Sequence, residues 1–96
     1  MISTHVLDTE RGRPAVGVRV ELYRGDELLA AKETDADGRI GQLGEDLQPG
    51  DYRLVFLPAS SPFFKRIEIE VAIDDAGHTH VPLLLSPYSC TTYRGS

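Results

Sequence analysis

In Val16-Gly17-Val18-Arg19-Val20-Glu21-Leu22-Tyr23 the apolar side chains of Val16, Val18, Val20 and Leu22 occupy every even position. Alternate side chains of an extended chain point to opposite sides, so this stretch predicts a strand with one face on a core. Arg66-Ile67-Glu68-Ile69-Glu70-Val71-Ala72-Ile73 repeats the pattern on odd positions, and Tyr52-Arg53-Leu54-Val55-Phe56 gives a shorter version. Turn signals lie around these runs: Arg24-Gly25-Asp26, Asp35-Ala36-Asp37-Gly38, Gln48-Pro49-Gly50-Asp51 and Asp74-Asp75-Ala76-Gly77. Glycine tolerates positive φ there, and an aspartate can bond its own backbone. Punctuation this regular predicts an antiparallel sandwich or barrel.

Residues 27–33, Glu-Leu-Leu-Ala-Ala-Lys-Glu, favour helix by intrinsic propensity. Seven residues between two turns are too few for an independent helix, and a hairpin after residues 16–24 offers an extended partner, so a strand is expected. Further strands are expected over Ser3–Asp8 and His78–Ser86, the last resuming through Thr91–Arg94. Val81-Pro82-Leu83-Leu84-Leu85 breaks the alternation, because consecutive leucines place apolar groups on both faces. Its proline argues for an edge or a bulge. The outward apolar face suits a subunit interface or, more simply, a central strand under a loop.

Ninety-six residues are one domain's worth of chain, spanning 1–96. Ten Lys and Arg against fifteen Asp and Glu give a net charge of -5, which lacks the basic footprint a nucleic-acid partner requires. One cysteine, Cys90, cannot close a disulfide within its own chain, so packing and backbone pairing must hold the fold. No apolar run approaches the roughly 20 residues of a membrane helix, and Met1 leads into patterned sequence without signal-peptide regions. The expectation is a cytoplasmic protein with no membrane partner; a mature exported form begun at Met1 would carry the same residues.

Three histidines, His5, His78 and His80, are the side chains best suited to move protons near neutral pH. His78 and His80 share a strand face by the period of two, although a strand histidine is more often solvent-facing or simply hydrogen-bonded. The pair is also spaced for zinc, but no third ligand is evident and Cys90 lies ten residues on, so no metal is expected. Asp35-Ala36-Asp37-Gly38 resembles the start of a calcium loop, yet the twelfth position falls on Asp46 in place of glutamate, and an acidic hairpin turn is the simpler account. Arg39 follows that turn, where a planar guanidinium can hold an oxygen-rich ligand through two parallel bonds. The ending, Thr91-Thr92-Tyr93-Arg94-Gly95-Ser96, carries donors, an acceptor and a flat ring, but on chemistry alone it is a frayed tail.

Four segments together carry a more specific signal: Ser3-Thr4-His5-Val6-Leu7-Asp8-Thr9 with Gly12-Arg13-Pro14-Ala15, Thr34–Arg39, His80–Tyr88, and Tyr93-Arg94-Gly95-Ser96. They resemble the 5-hydroxyisourate hydrolases, the transthyretin-related enzymes of urate breakdown. The resemblance spans nearly the whole chain, and the terminal Tyr-Arg-Gly-Ser is its most specific mark, one that transthyretin itself lacks. It implies an all-β, transthyretin-like (prealbumin-like) antiparallel β-sandwich of seven to eight strands. It also implies a homotetramer, a dimer of dimers with active sites where the dimers meet. His5, Arg39, His80 and Ser96 match the family's catalytic positions, and His5, Arg39, Tyr93 and Arg94 its substrate contacts. His78 stands where the family often has a histidine without a catalytic role. The implied reaction is metal- and cofactor-free hydrolysis of 5-hydroxyisourate to 2-oxo-4-hydroxy-4-carboxy-5-ureidoimidazoline, in which a histidine assists water attack on the cyclic amide and arginine balances the charge. Whether His5 or His80 is the base stays open.

Two departures accompany the resemblance. The connection Leu57–Phe64 is shorter than the family's, and Pro58 and Pro62 resist the short helix found there, so that helix is expected to be absent. Cys90 replaces a tyrosine on the last strand, which bears on packing at the dimer edge. The rival readings are a non-enzymatic immunoglobulin-like binding module and a transthyretin-like carrier of a small ligand. Residues 12–56 fit the module equally well, but a module gives no reason for His5, His80 or the Tyr-Arg-Gly-Ser ending, and a channel of His and Arg suits an aromatic carrier poorly.

Overall fold

Period-two patterning folds here into two stacked sheets. A computed structural model describes residues 1–74 and 77–96, and the turn expected at 74–77 falls partly on residues 75 and 76, outside the described residues. The strands are β1 (Ile2–Asp8), β2 (Arg13–Pro14), β3 (Arg19–Arg24), β4 (Glu27–Glu33), β5 (Arg39–Leu43), β6 (Gly50–Leu57), β7 (Ile67–Ile73), β8 (Thr79–His80), β9 (Leu83–Leu85) and β10 (Cys90–Thr92). One sheet runs β4-β3-β6-β7, all antiparallel. The other runs β10-β9-β1-β2, with β5 and β8 also paired to β1. The sandwich is therefore antiparallel except where β1 runs parallel to β8 and β9.

The core lies between the sheets. Ile2 and Val6 of β1, Ile40 and Leu43 of β5, and Leu83 of β9 meet Val20 and Leu22 of β3 and Tyr52, Leu54 and Phe56 of β6. Val18, Val20 and Leu22 are buried as the alternation requires, but Val16 is 63% exposed because the strand begins only at Arg19. Residues 27–33 are a strand along their whole length, since pairing with β3 outweighs their helix propensity. Leu57–Phe64 contains no helix, as its prolines dictate.

The expected strand over His78–Ser86 is split. Pro82 has no N–H for a ladder, so pairing lapses at Val81 and Pro82 between β8 and β9. The register does not slip across the gap: Ser3 pairs with His80 before it and Val6 with Leu83 after it. Val81 N–H donates to the Ser3 carbonyl, and the buried Thr4 hydroxyl donates to the Val81 carbonyl. The proline thus interrupts an interior strand, β9 lying between β1 and β10, and does not mark an edge.

Two short elements were not legible in the pattern. β5 reads Arg-Ile-Gly-Gln-Leu, too short and too glycine-interrupted to declare itself, and β2 is two residues long. The turn before β5 is held by Asp35, whose carboxylate accepts from the Asp37 and Arg39 N–H groups. Gly38 adopts φ 72°, and a Cβ there would stand 2.7 Å from the Val6 carbonyl, so only glycine lets the turn press against β1.

Candidate active site

The inward set of β1 is Ile2, Thr4 and Val6, which leaves Ser3 and His5 on the outer face of the larger sheet. In β8, Thr79 is buried, so His80 and the preceding His78 turn outward with them. In β5, Ile40 is buried, so Arg39 and Gly41 face the same side. Register then does the assembling. β1 pairs Ser3 with His80 and His5 with Arg39, which brings residues from both extremes of the chain together.

The His5 Nδ1 and His80 Nε2 atoms are 2.9 Å apart, with ring centroids separated by 5.1 Å and planes 28° apart. His80 Nδ1 is 2.7 Å from the Ser3 hydroxyl, which is also 2.6 Å from His78 Nε2. Both nitrogens of His80 are thus engaged within the cluster. His5 Nε2 has no hydrogen-bond partner among the described residues, so it is the nitrogen of the pair left for a ligand. Burial, with the Arg39 charge second, lowers the pKa of His5 below its ordinary value. Burial also lowers that of His80, followed by the charges of His5, Arg39 and His78, while a hydrogen bond to the Ser3 backbone pulls the other way. Both rings are therefore neutral near pH 7. A neutral imidazole beside a cation can take a proton where an imidazolium cannot.

These residues border a cleft of about 480 Å³ that His5, Arg39, His80, Tyr93, Gly95 and Ser96 all line. The ending is no frayed tail. Gly95 forms an antiparallel bridge with His80, its N–H donating to the His80 carbonyl at 2.8 Å. A Cβ at position 95 would come 2.5 Å from His80 Cδ2, so glycine is what permits this approach. The Arg39 guanidinium forms no ion pair or hydrogen bond among the described residues, which leaves a cation open to an anionic or oxygen-rich ligand. Arg94 is not among the residues lining this cleft; it borders an adjoining, mostly apolar hollow with Ile69, Val71 and Val81. A larger hollow of about 770 Å³ lies on the far side of His78, with Glu45, Asp46 and Asp74, and brings no base and guanidinium together.

Ser3 was not singled out from the sequence. Its signal was present in the period of two, which places Ser3 beside His5 as it places His78 beside His80; what was missing was the parallel pairing that sets Ser3 against His80. Among the described residues no three His, Cys, Asp or Glu side chains gather as a metal site. His78 and His80 spend a nitrogen each on the same hydroxyl.

The chain is similar to known proteins over nearly its whole length. The chain is 45% identical to a 5-hydroxyisourate hydrolase of Caulobacter vibrioides, over 99% of this chain and 97% of that protein. It superimposes on the 5-hydroxyisourate hydrolase of Klebsiella pneumoniae with a TM-score of 0.91 and 38% identity, covering 99% and 97% of the two chains. Sea bream transthyretin, solved with thyroxine, superimposes with a TM-score of 0.86 at 29% identity, covering 98% and 93%. The family model described as HIUase/Transthyretin matches residues 2–95, and the chain belongs to that family.

Proposed function

We propose that this protein hydrolyses 5-hydroxyisourate to 2-oxo-4-hydroxy-4-carboxy-5-ureidoimidazoline, a step of urate catabolism, and that the cleft on the outer face of the larger sheet is where it does so. The observation that carries the assignment is the 2.9 Å contact between two neutral imidazoles beside an unpaired guanidinium. His5 is the base, because its Nε2 is the nitrogen of the pair with no partner. It takes a proton from water as the oxygen attacks the cyclic amide carbonyl. Arg39 balances the negative charge that develops on the carbonyl oxygen and holds the planar ring. His80 orients His5 through the Nδ1–Nε2 hydrogen bond and shares the charge His5 acquires. When the ring carbon–nitrogen bond breaks, the proton on His5 passes to the departing nitrogen. Tyr93 and Ser96 complete the lining of the cleft, and no step calls for a metal.

The assembly we propose is a homotetramer whose dimers meet over this cleft. Support comes from the same outer face, where Leu7 and Leu84 lie side by side in register near the imidazoles, half-buried in the single chain. A polar cleft bordered by apolar side chains suits coverage by a second copy. Neither rival is favoured: a binding module leaves the neutral imidazole pair without a use, and an aromatic carrier leaves the open guanidinium without one. The test is to generate 5-hydroxyisourate with urate oxidase and follow its ultraviolet decay with and without the protein. Acceleration is expected, and a spontaneous rate unchanged by the protein would overturn the assignment.

A further inference from the structure

The hydrogen-bonded series does not stop at His80. His5, His80, Ser3 and His78 follow one another at 2.9, 2.7 and 2.6 Å. A hydroxyl has a single hydrogen to give. If Ser3 gives it to His80 Nδ1, then His80 carries its own hydrogen on Nε2 and donates to His5 Nδ1. His5 must then hold its hydrogen on Nε2, where the base is needed. If Ser3 gives it to His78 Nε2, every bond reverses and His5 Nε2 is bare. One O–H direction therefore decides whether His5 can act.

We propose that Ser3 and His78 are positioning residues for His5: His78 Nε2 takes the Ser3 hydroxyl hydrogen, Ser3 Oγ accepts from His80 Nδ1–H, and His80 Nε2 accepts from His5 Nδ1–H. This rests on the hydrolase reading of the same cleft. Ser3 is only 6% exposed, so its hydroxyl must satisfy both its donor and acceptor capacity within the series and not in bulk water. The open Arg39 guanidinium shares the cleft with His5, and a cation favours a lone pair over an N–H as its neighbour. At the other end, His78 borders the hollow that holds Glu45, Asp46 and Asp74. Carboxylates there favour an outward N–H on Nδ1, which leaves Nε2 as the acceptor that Ser3 needs.

Long-range 1H–15N correlation of the imidazoles in the intact protein at neutral pH reads these tautomers directly. The expected spectrum has His80 protonated on Nδ1 and His5 bare on Nε2; a bare Nδ1 on His80 would overturn the proposal. Ser3→Ala and His78→Leu should each mix the His80 tautomers and lower kcat about 10-fold with KM little changed, the scale of one hydrogen bond. His78→Gln, whose side-chain oxygen can accept at the same place, should restore most of the rate. Wild-type kcat in both Ser3→Ala and His78→Leu would equally overturn it. The spectrum of the unaltered protein decides the matter even where a variant does not fold. It also decides it separately from the hydrolase reading, which stands or falls on the decay assay.

Discussion

At the scale of single residues, the proposed working parts are a neutral imidazole and an unpaired guanidinium, and their electrostatics make a pH profile predictable. Because burial and Arg39 lower the pKa of His5 and His80, kcat/KM should be flat near neutrality and fall only at pH values below the ordinary 6.5. Taking away the Arg39 charge makes the imidazolium easier to form, so in Arg39→Ala the acid limb should move to higher pH. The same variant should lose about 100-fold in turnover, as an oxyanion-type donor typically supplies. Rate profiles followed in the ultraviolet check both, and an acid limb that stays in place would separate Arg39 from the pair. Gly95→Ala should cost about 10- to 100-fold with an unchanged circular dichroism spectrum, because its Cβ would displace the His80 ring.

At the scale of elements, the question is how an interior strand survives a proline. β8 and β9 keep one register against β1 although Val81 and Pro82 make no ladder pair, and the Thr4 hydroxyl caps the Val81 carbonyl across the gap. Thr4 is 1% exposed, so Thr4→Val keeps the volume and strands that carbonyl in the core. A loss of about 1–3 kcal/mol is expected from the orphaned acceptor, read as a lower urea midpoint with an unchanged slope. No change in midpoint would mean that the carbonyl finds another donor. β4 carries a related lesson. Its residues prefer helix, yet the ladder with β3 decides their conformation, since seven residues cannot repay helix nucleation.

At the scale of the molecule, the outer face of the larger sheet carries the cleft and an apolar strip beside it. Four chains of 10.6 kDa would scatter light as about 42 kDa. Leu84→Arg, a change on that strip and away from the core, should lower the measured mass and reduce turnover with it. A full-sized, fully active Leu84→Arg protein would remove the strip from the interface. Cys90 is exposed in β10, at the edge of this sheet, and closes no disulfide within the chain.

Alternation alone placed strands within residues 16–24, 52–56 and 66–73 and pointed to an antiparallel sandwich or barrel, because a period of two commits alternate side chains to a core whatever pairs with what. The Tyr-Arg-Gly-Ser ending and the flanks of His5 and His80 pointed to the family. Pairing, however, is a relation between distant segments, and no local pattern encodes it. Only the tertiary structure decided that β1 runs parallel to β8, which sets Ser3 against His80. Only it paired His5 with Arg39 through a strand too short to announce itself, and seated Gly95 against His80. Those long-range registers leave His5 Nε2 as the nitrogen of the His5–His80 pair with no hydrogen-bond partner among the described residues.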